Sequence, residues 1–135
     1  MKINKETKAL TIQGDLITDI HSFYQQINCL FMHQEDWRIG DSLDALEDLL
    51  YGNYGILKLH NGIELIWKNH QSSANALGLE LTRNYYLKKI EPGSRFNKPF
   101  FKQQLAELEA GRGLTYFDKI VEIIRSHENV QLYLV

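Results

Sequence analysis

The chain has 135 residues, of which 44% are hydrophobic and 24% are charged, and its formal net charge is −2. This length and composition predict one globular domain over residues 1–135. The small net charge argues against direct nucleic-acid binding and against binding to a membrane surface. Cys29 is the only cysteine, which excludes an internal disulfide and favours a reducing compartment. Without an N-terminal signal core or a membrane-length apolar run, we expect a cytoplasmic location.

The N-terminus is predicted to lead into a strand. Residues 1–7 are polar and are expected to fray. Lys8–Gln13 contains the short, partly β-branched sequence Ala-Leu-Thr-Ile, and Gly14 interrupts it. We therefore predict the first strand at this position.

A helix is predicted next. Thr18 or Asp19 can cap it, because a short side-chain oxygen accepts hydrogen bonds from the free N–H groups of the first turn. Its apolar stripe has helical spacing and consists of Ile20, Phe23, Tyr24 and Ile27. We expect His21 on the helix surface and Cys29 as a small buried hydrophobe at the helix end.

The stretch from Asp36 to Gly52 is predicted to hold one short helix with a glycine on each side. Asp41 or Ser42 is the expected N-cap, and Gly52 suits the left-handed position that ends a helix. The core-facing stripe consists of Leu43, Leu46, Leu49 and Leu50.

The other face of this helix is acidic. Asp44 and Asp48 are four residues apart and stack on one side, with Glu47 beside them and Asp41 one turn earlier. Residues 35–52 include six acids and one base. One interpretation is a solvated acidic face. The other is a surface whose carboxylates take the place of phosphates and meet a cationic partner.

Aromatic residues flank this helix. Trp37 lies in the preceding loop, and it is either a lid on the core or an anchor at a binding interface, where aromatic residues are enriched. Tyr51 follows the helix and is placed to flank the acidic face.

A second strand is predicted at Ile63–Trp67. Asn61-Gly62 before it is a turn signal, so an antiparallel hairpin with Ile56–His60 is an alternative that we keep open.

Helices and a strand are predicted for the C-terminal half. A long helix is expected from Ser72 or Ser73 to about Ile90, although Gly78 weakens its middle. The remaining elements are a helix that Pro99 opens, a helix over Tyr116–Ser126 and a strand over Val130–Val135.

The order of these elements predicts a small α/β domain. We expect a mostly parallel sheet of about three strands packed with four to five helices. Residues 83–112 hold seven bases and three acids, and this stretch is either a solvated helix surface or a second binding surface.

Catalytic motifs are absent from the sequence. The five histidines have no metal-site spacing, and there is no nucleophile signature, P-loop or dinucleotide fingerprint. Asp44 and Asp48 on an exposed face would both stay ionised, whereas acid–base catalysis needs two groups with well-separated pKa values. We therefore expect no enzymatic activity, no metal and no cofactor, and we keep a small enzyme as the least favoured hypothesis.

The segment Gly40–Asp48, read Gly-Asp-Ser-Leu-Asp-Ala-Leu-Glu-Asp, resembles the acidic-helix segment of the barstar family of intracellular ribonuclease inhibitors. Three further stretches are similar to that family in the same order: Gly14–His21, Leu65–Asn69 and Phe117–Val135. The resemblance implies a barstar-like fold. It also implies an immunity protein that blocks the basic active-site cleft of a bacterial ribonuclease or a related nuclease toxin.

The resemblance further implies a partner-binding site. Asp44 and Asp48 match the two contacting aspartates of the family, and Gly40 matches its loop glycine. Because the family uses a glutamate on its last helix, Glu122 is an additional candidate. The neighbours predicted to complete the site are Asp41, Glu47, Trp37, Arg38 and Tyr51.

The chain departs from the family near this site. Arg38 suits a basic cleft only if it pairs with Asp41 or with an acid of the partner, and Glu47 stands where the family has a tryptophan. The stretch Leu79–Arg112 is expanded relative to the family. The alternative function is therefore a non-inhibitory interaction module that uses the same acidic face for an unrelated basic partner. The oligomeric state stays open.

Overall fold

A three-stranded parallel sheet forms the centre of the protein. The structure is a computed structural model, and it describes residues 6–135. Strands β1 (Lys8–Gln13), β2 (Ile63–Lys68) and β3 (Val130–Leu134) lie in the order β1-β2-β3, and both neighbouring pairs are parallel. The predicted α/β class and its three strands are confirmed. Residues 1–5, for which fraying is predicted, lie outside the described range.

Six α-helices surround this sheet in the described part of the chain. They are α1 (Ile20–Phe31), α2 (Leu43–Leu50), α3 (His70–Ala76), α4 (Leu79–Lys89), α5 (Lys98–Glu109) and α6 (Tyr116–Arg125). None of these helices combines the length and the apolar character that a membrane span requires. The described residues form six helices where we expect four to five, because one predicted helix is divided in two.

The single long helix predicted across residues 72–90 is wrong. Leu77 and Gly78 separate α3 from α4. Leu77 is fully buried, and its carbonyl accepts a hydrogen bond from the backbone N–H of Phe117 at 3.1 Å. A continuous helix would use that carbonyl for its own i+4 bond. The contact with α6 replaces the helical bond, and Gly78 then begins α4 in an extended conformation.

The alternative hairpin between Ile56–His60 and β2 is also wrong. Ile56–Leu59 forms a short 3-10 helix whose first two side chains are buried in the core. Strand β2 has β1 on one edge and β3 on the other. No edge of β2 is left for an antiparallel partner.

Cys29 is exposed, which contradicts the buried position predicted for it. Successive residues of an α-helix are rotated by about 100°. Cys29 comes two positions after the buried Ile27, so it points away from the core. The buried neighbours on α1 are instead Asn28 and Phe31.

A buried hydrogen-bond relay joins β2 to two other elements. The indole N–H of Trp67 donates to Ser73 Oγ at 2.9 Å, and the Ser73 hydroxyl donates to the carbonyl of Gly14 at 2.8 Å. A Cβ atom at Gly14 would collide with the carbonyl of Lys68 and lie 2.6 Å from that of Asn69, so this close approach requires glycine. The relay therefore fixes α3 and the turn after β1 against the central strand.

We expect Ser73→Ala to lower the free energy of unfolding by about 1–3 kcal/mol, because it leaves the Trp67 N–H and the Gly14 carbonyl buried without this partner. Urea unfolding measures the change. Ser72→Ala is the matched control, because Ser72 is exposed in the same helix. Equal unfolding midpoints for the two variants would contradict the importance of the relay.

Candidate protein-binding site

Helix α2 is fixed at both of its ends. The Ser42 side chain is the N-cap and accepts a hydrogen bond from the backbone N–H of Ala45 at 3.1 Å. Gly52 has a left-handed backbone with a φ of 83°, as predicted for the residue that ends the helix. The side chains that α2 buries are Leu46, Leu49 and Leu50.

Two asparagines from distant parts of the chain hold the segments around α2. The Asn28 side chain makes two hydrogen bonds with the backbone of Ile39, accepting from its N–H at 2.8 Å and donating to its carbonyl at 3.2 Å. The Asn129 amide donates to the carbonyl of Leu50 at 2.9 Å. Because these bonds satisfy backbone groups outside regular helix ladders, the rest of the fold sets the position of α2.

Asp44 and Asp48 are exposed on the same side of α2. Within residues 6–135, neither carboxylate makes an ion pair or a hydrogen bond through its side chain. Their charge still acts on neighbouring groups. Burial raises the pKa of Tyr54, and the Asp48 carboxylate adds to that shift. Two unpaired carboxylates at this spacing form an acceptor surface for guanidinium and ammonium groups.

The two other acids of the predicted site are paired internally. Asp41 Oδ2 lies 2.7 Å from His21 Nδ1, and Glu47 Oε1 lies 3.1 Å from His127 Nε2. His21 is on the surface as predicted, whereas only 9% of the His127 side chain is exposed. Sequence reasoning missed His127, because 80 residues separate it from Glu47 and no local pattern links them.

Aromatic rings border the acidic face. Trp37 is 45% exposed and packs against Tyr54, with ring centres 4.8 Å apart, so it is not a lid on the core. Tyr51 is 61% exposed and meets the His127 ring edge-on, with ring centres 5.0 Å apart. Each ring is supported on one side and free on the other, which favours contact with another protein.

Arg38 and Gly40 lie on the loop that enters α2. Arg38 is exposed, and Asp41, its proposed partner within the chain, binds His21 instead. A Cβ atom at Gly40 would meet no atom within 4 Å, and the backbone there is not left-handed. The conformation of the unbound protein therefore does not require a glycine at this position.

Helix α4 lies close to the Asp41 end of the acidic face, because Tyr85 and Lys88 line one pocket with His21, the residue that binds Asp41. Sequence reasoning missed this proximity. Burial lowers the pKa of Lys89, and the nearby Asp44 carboxylate opposes that shift. The Lys89 ammonium lies 3.6 Å from the centre of the Phe96 ring. The Asp44 charge therefore acts on part of the basic stretch over residues 83–112, and this effect arises only in the folded chain.

Glu122 is exposed on α6, where it borders a groove with Leu134 of β3. Among the described residues, no hydrogen bond or ion pair joins Glu122 to α2. The contact between the α6 end of the chain and the acidic face is made by His127. A role for Glu122 in binding stays a prediction.

Metal binding and similarity to known proteins are two further tests of this site. Within residues 6–135, no group of three or more His, Cys, Asp or Glu side chains is arranged to hold a metal ion. No protein-family model matches the chain, and no curated protein matches it significantly. The site is therefore interpreted from its own residues.

We expect Asp48→Asn to raise the free energy of unfolding by about 0.3–1 kcal/mol. The substitution relieves repulsion with Asp44 and removes a negative charge from the C-terminal turn of α2, where the helix dipole disfavours it. Urea unfolding measures the gain.

Asp44→Asn is the matched control for this prediction. It relieves the same repulsion, but it removes a charge that the helix N-terminus and the neighbouring Lys89 favour. Its effect on stability is expected to be close to zero or negative. A larger stabilisation from Asp44→Asn than from Asp48→Asn would contradict this account of the helix.

Proposed function

We propose that the protein is a barstar-like inhibitor, an immunity protein that binds and blocks the basic active-site cleft of a bacterial ribonuclease toxin. The observation that carries the proposal is the pair Asp44 and Asp48, which are exposed on one side of a fixed helix and whose side chains make no hydrogen bond or ion pair within residues 6–135. The resemblance of four stretches to the barstar family, in the same order along the chain, supports the same function.

A ribonuclease has the cationic groups that the acidic face would bind. An enzyme that binds RNA neutralises phosphates with arginine and lysine side chains. The carboxylates of Asp44 and Asp48 occupy phosphate positions in such a cleft and accept charge-assisted hydrogen bonds from those side chains. Because Asn28 and Asn129 hold the segments around α2 before binding, little conformational freedom is lost when the helix docks.

The remaining predicted residues have supporting roles in this proposal. Asp41 and Glu47 add negative charge that steers the enzyme towards the face, while their histidine partners hold them in place. Trp37 and Tyr51 contact the rim of the cleft, and Arg38 pairs with an acid there. The inhibitor acts in the cytoplasm, where it protects the cell that makes the toxin.

We expect Asp44→Ala and Asp48→Ala each to weaken binding of the ribonuclease by roughly 30-fold or more, because each leaves cations of the cleft buried without a partner. The ribonuclease is captured on the immobilised protein from cultures of the source bacterium and identified by mass spectrometry. Its RNA cleavage is then measured with and without the inhibitor. Wild type is expected to abolish cleavage, and the double variant is expected to leave it intact.

Asp15→Ala is the control for this experiment, because Asp15 is an exposed acid outside the acidic face. Raised salt should slow association of the wild type more than that of the double variant. Normal inhibition by the double variant would show that the site is wrong. Capture of a basic protein without nuclease activity would favour the interaction module instead.

Gly40→Leu tests the loop that enters α2. We expect its free energy of unfolding to stay within about 0.5 kcal/mol of wild type, because the new side chain points into open space. Affinity for the ribonuclease should fall by about tenfold or more, because the side chain keeps the partner from approaching the backbone. Titration calorimetry and urea unfolding give the two values. Unchanged affinity would place Gly40 outside the contact surface.

A further inference from the structure

The turn between α6 and β3 contacts the C-terminal end of α2. Asn129 of this turn donates its side-chain amide to the carbonyl of Leu50 at 2.9 Å, and its own carbonyl accepts from the N–H of Ile63 at 2.9 Å. The carbonyl of His127 accepts from the N–H of Val130 at 3.2 Å. The turn is therefore bonded to α2, to β2 and to the start of β3, which holds His127 in a defined place.

His127 contacts two side chains of the acidic face directly. Its Nε2 lies 3.1 Å from Glu47 Oε1, and its ring meets the Tyr51 ring edge-on, with ring centres 5.0 Å apart. Because an ionised carboxylate can only accept, Nε2 carries the hydrogen and donates it. The side chain of His127 is 9% exposed and that of Glu47 is 36% exposed, while Tyr51 is 61% exposed. One buried imidazole therefore supports a carboxylate and an aromatic ring that both face water.

Glu47 and Tyr51 are also neighbours on α2. They are four residues apart, and Tyr51 keeps a right-handed helical backbone, so their side chains lie on the same side of the helix. A carboxylate offers about four lone-pair sites, so Glu47 can accept further N–H groups while it is bound to His127. The face of a tyrosine ring attracts cations, and a planar guanidinium stacks on it.

We propose that Glu47 and Tyr51 form a subsite for an arginine side chain of the ribonuclease, and that His127 is its positioning residue. This inference rests on the proposed function and names one group that the partner must present. The guanidinium donates to the Glu47 carboxylate and stacks on the Tyr51 ring. A lysine ammonium is a point charge that satisfies the carboxylate but does not stack, so the subsite prefers arginine.

The charges around the subsite favour a cation. Residues 39–57, which include α2, contain no lysine or arginine, and neither do residues 126–135, which include the turn. Each segment adds an exposed acid beside the subsite, Asp48 in α2 and Glu128 in the turn. Arg125, the base that precedes the turn, lines the groove between α6 and β3. An arriving guanidinium is therefore attracted by the segments that form the subsite.

Hexa-arginine and hexa-lysine peptides test the subsite without the ribonuclease. At equal ionic strength, we expect wild type to bind hexa-arginine about 3- to 10-fold more tightly, because the two peptides carry the same charge but only the guanidinium stacks. Titrations followed by amide NMR spectra measure both affinities. Glu47→Gln and Tyr51→Leu should each reduce the preference to about one. Tyr133→Leu is the matched control and should keep it, because Tyr133 is a 47% exposed tyrosine on β3.

Two substitutions of His127 test its positioning role. His127→Ala removes the support of both side chains, so it should erase the preference for arginine and weaken binding of the captured ribonuclease about 3- to 10-fold. His127→Gln should restore part of both, because the glutamine amide can donate to Glu47 from a similar position. Ser73→Ala is the control for lost stability, since it should weaken the fold but keep the preference. Urea unfolding shows whether each variant is folded.

The outcomes separate the subsite from the proposed function. Equal affinity of wild type for the two peptides, or a preference that persists in folded Tyr51→Leu, would overturn the subsite. The proposed function would still stand if Asp44→Ala/Asp48→Ala no longer inhibited the ribonuclease. An unchanged preference in folded His127→Ala would overturn the positioning role. A preference for hexa-arginine in a protein that inhibits no ribonuclease would overturn the proposed function and support the arginine subsite alone.

Discussion

Burial of Leu46, Leu49 and Leu50 is the constraint on which the acidic face depends. Each buried leucine contributes about 1.5–3 kcal/mol, whereas repulsion between two carboxylates four residues apart costs about 0.2–0.5 kcal/mol. The core therefore decides which side of α2 faces water, and the repulsion is too weak to change that. A helix fixed in this way can keep like charges together without a partner, which a flexible segment could not do at the same cost.

Two acids of this face, Asp41 and Glu47, bind histidines, whereas Asp44 and Asp48 make no such bond among the described residues. Only part of this difference can be predicted from the sequence. The four-residue spacing of Asp44 and Asp48 places them together on any α-helix, so the core of the candidate site follows from the local pattern. Asp41 and Glu47 look equivalent to them in the sequence. The structure gives each a histidine partner from a distant segment, and local spacing carries no information about such contacts.

The same difference holds for the fold: features set by neighbouring residues are predicted from the sequence, and features set by long-range contacts are not. Ser42 and Gly52 delimit α2 through their own side chain or backbone geometry, and the sequence predicts Gly52 and limits the N-cap to Asp41 or Ser42. The error at Cys29 is a local one of helix rotation, whereas two other errors arise where a distant group decides the outcome. The carbonyl of Leu77 is taken by the N–H of Phe117, which divides a predicted helix. The hairpin at residues 56–60 fails because strands from both ends of the chain occupy the edges of β2.

The α4–α5 hairpin makes the two ends of the acidic face unequal. The Asp44 carboxylate opposes the lowering of the Lys89 pKa, whereas the Asp48 carboxylate adds to the raising of the Tyr54 pKa. A cation within the chain reduces the negative potential at the Asp44 end, so a partner's cation gains more at Asp48. The α4–α5 hairpin therefore makes the charge of the acidic face uneven along α2, although this hairpin is far from α2 in the sequence.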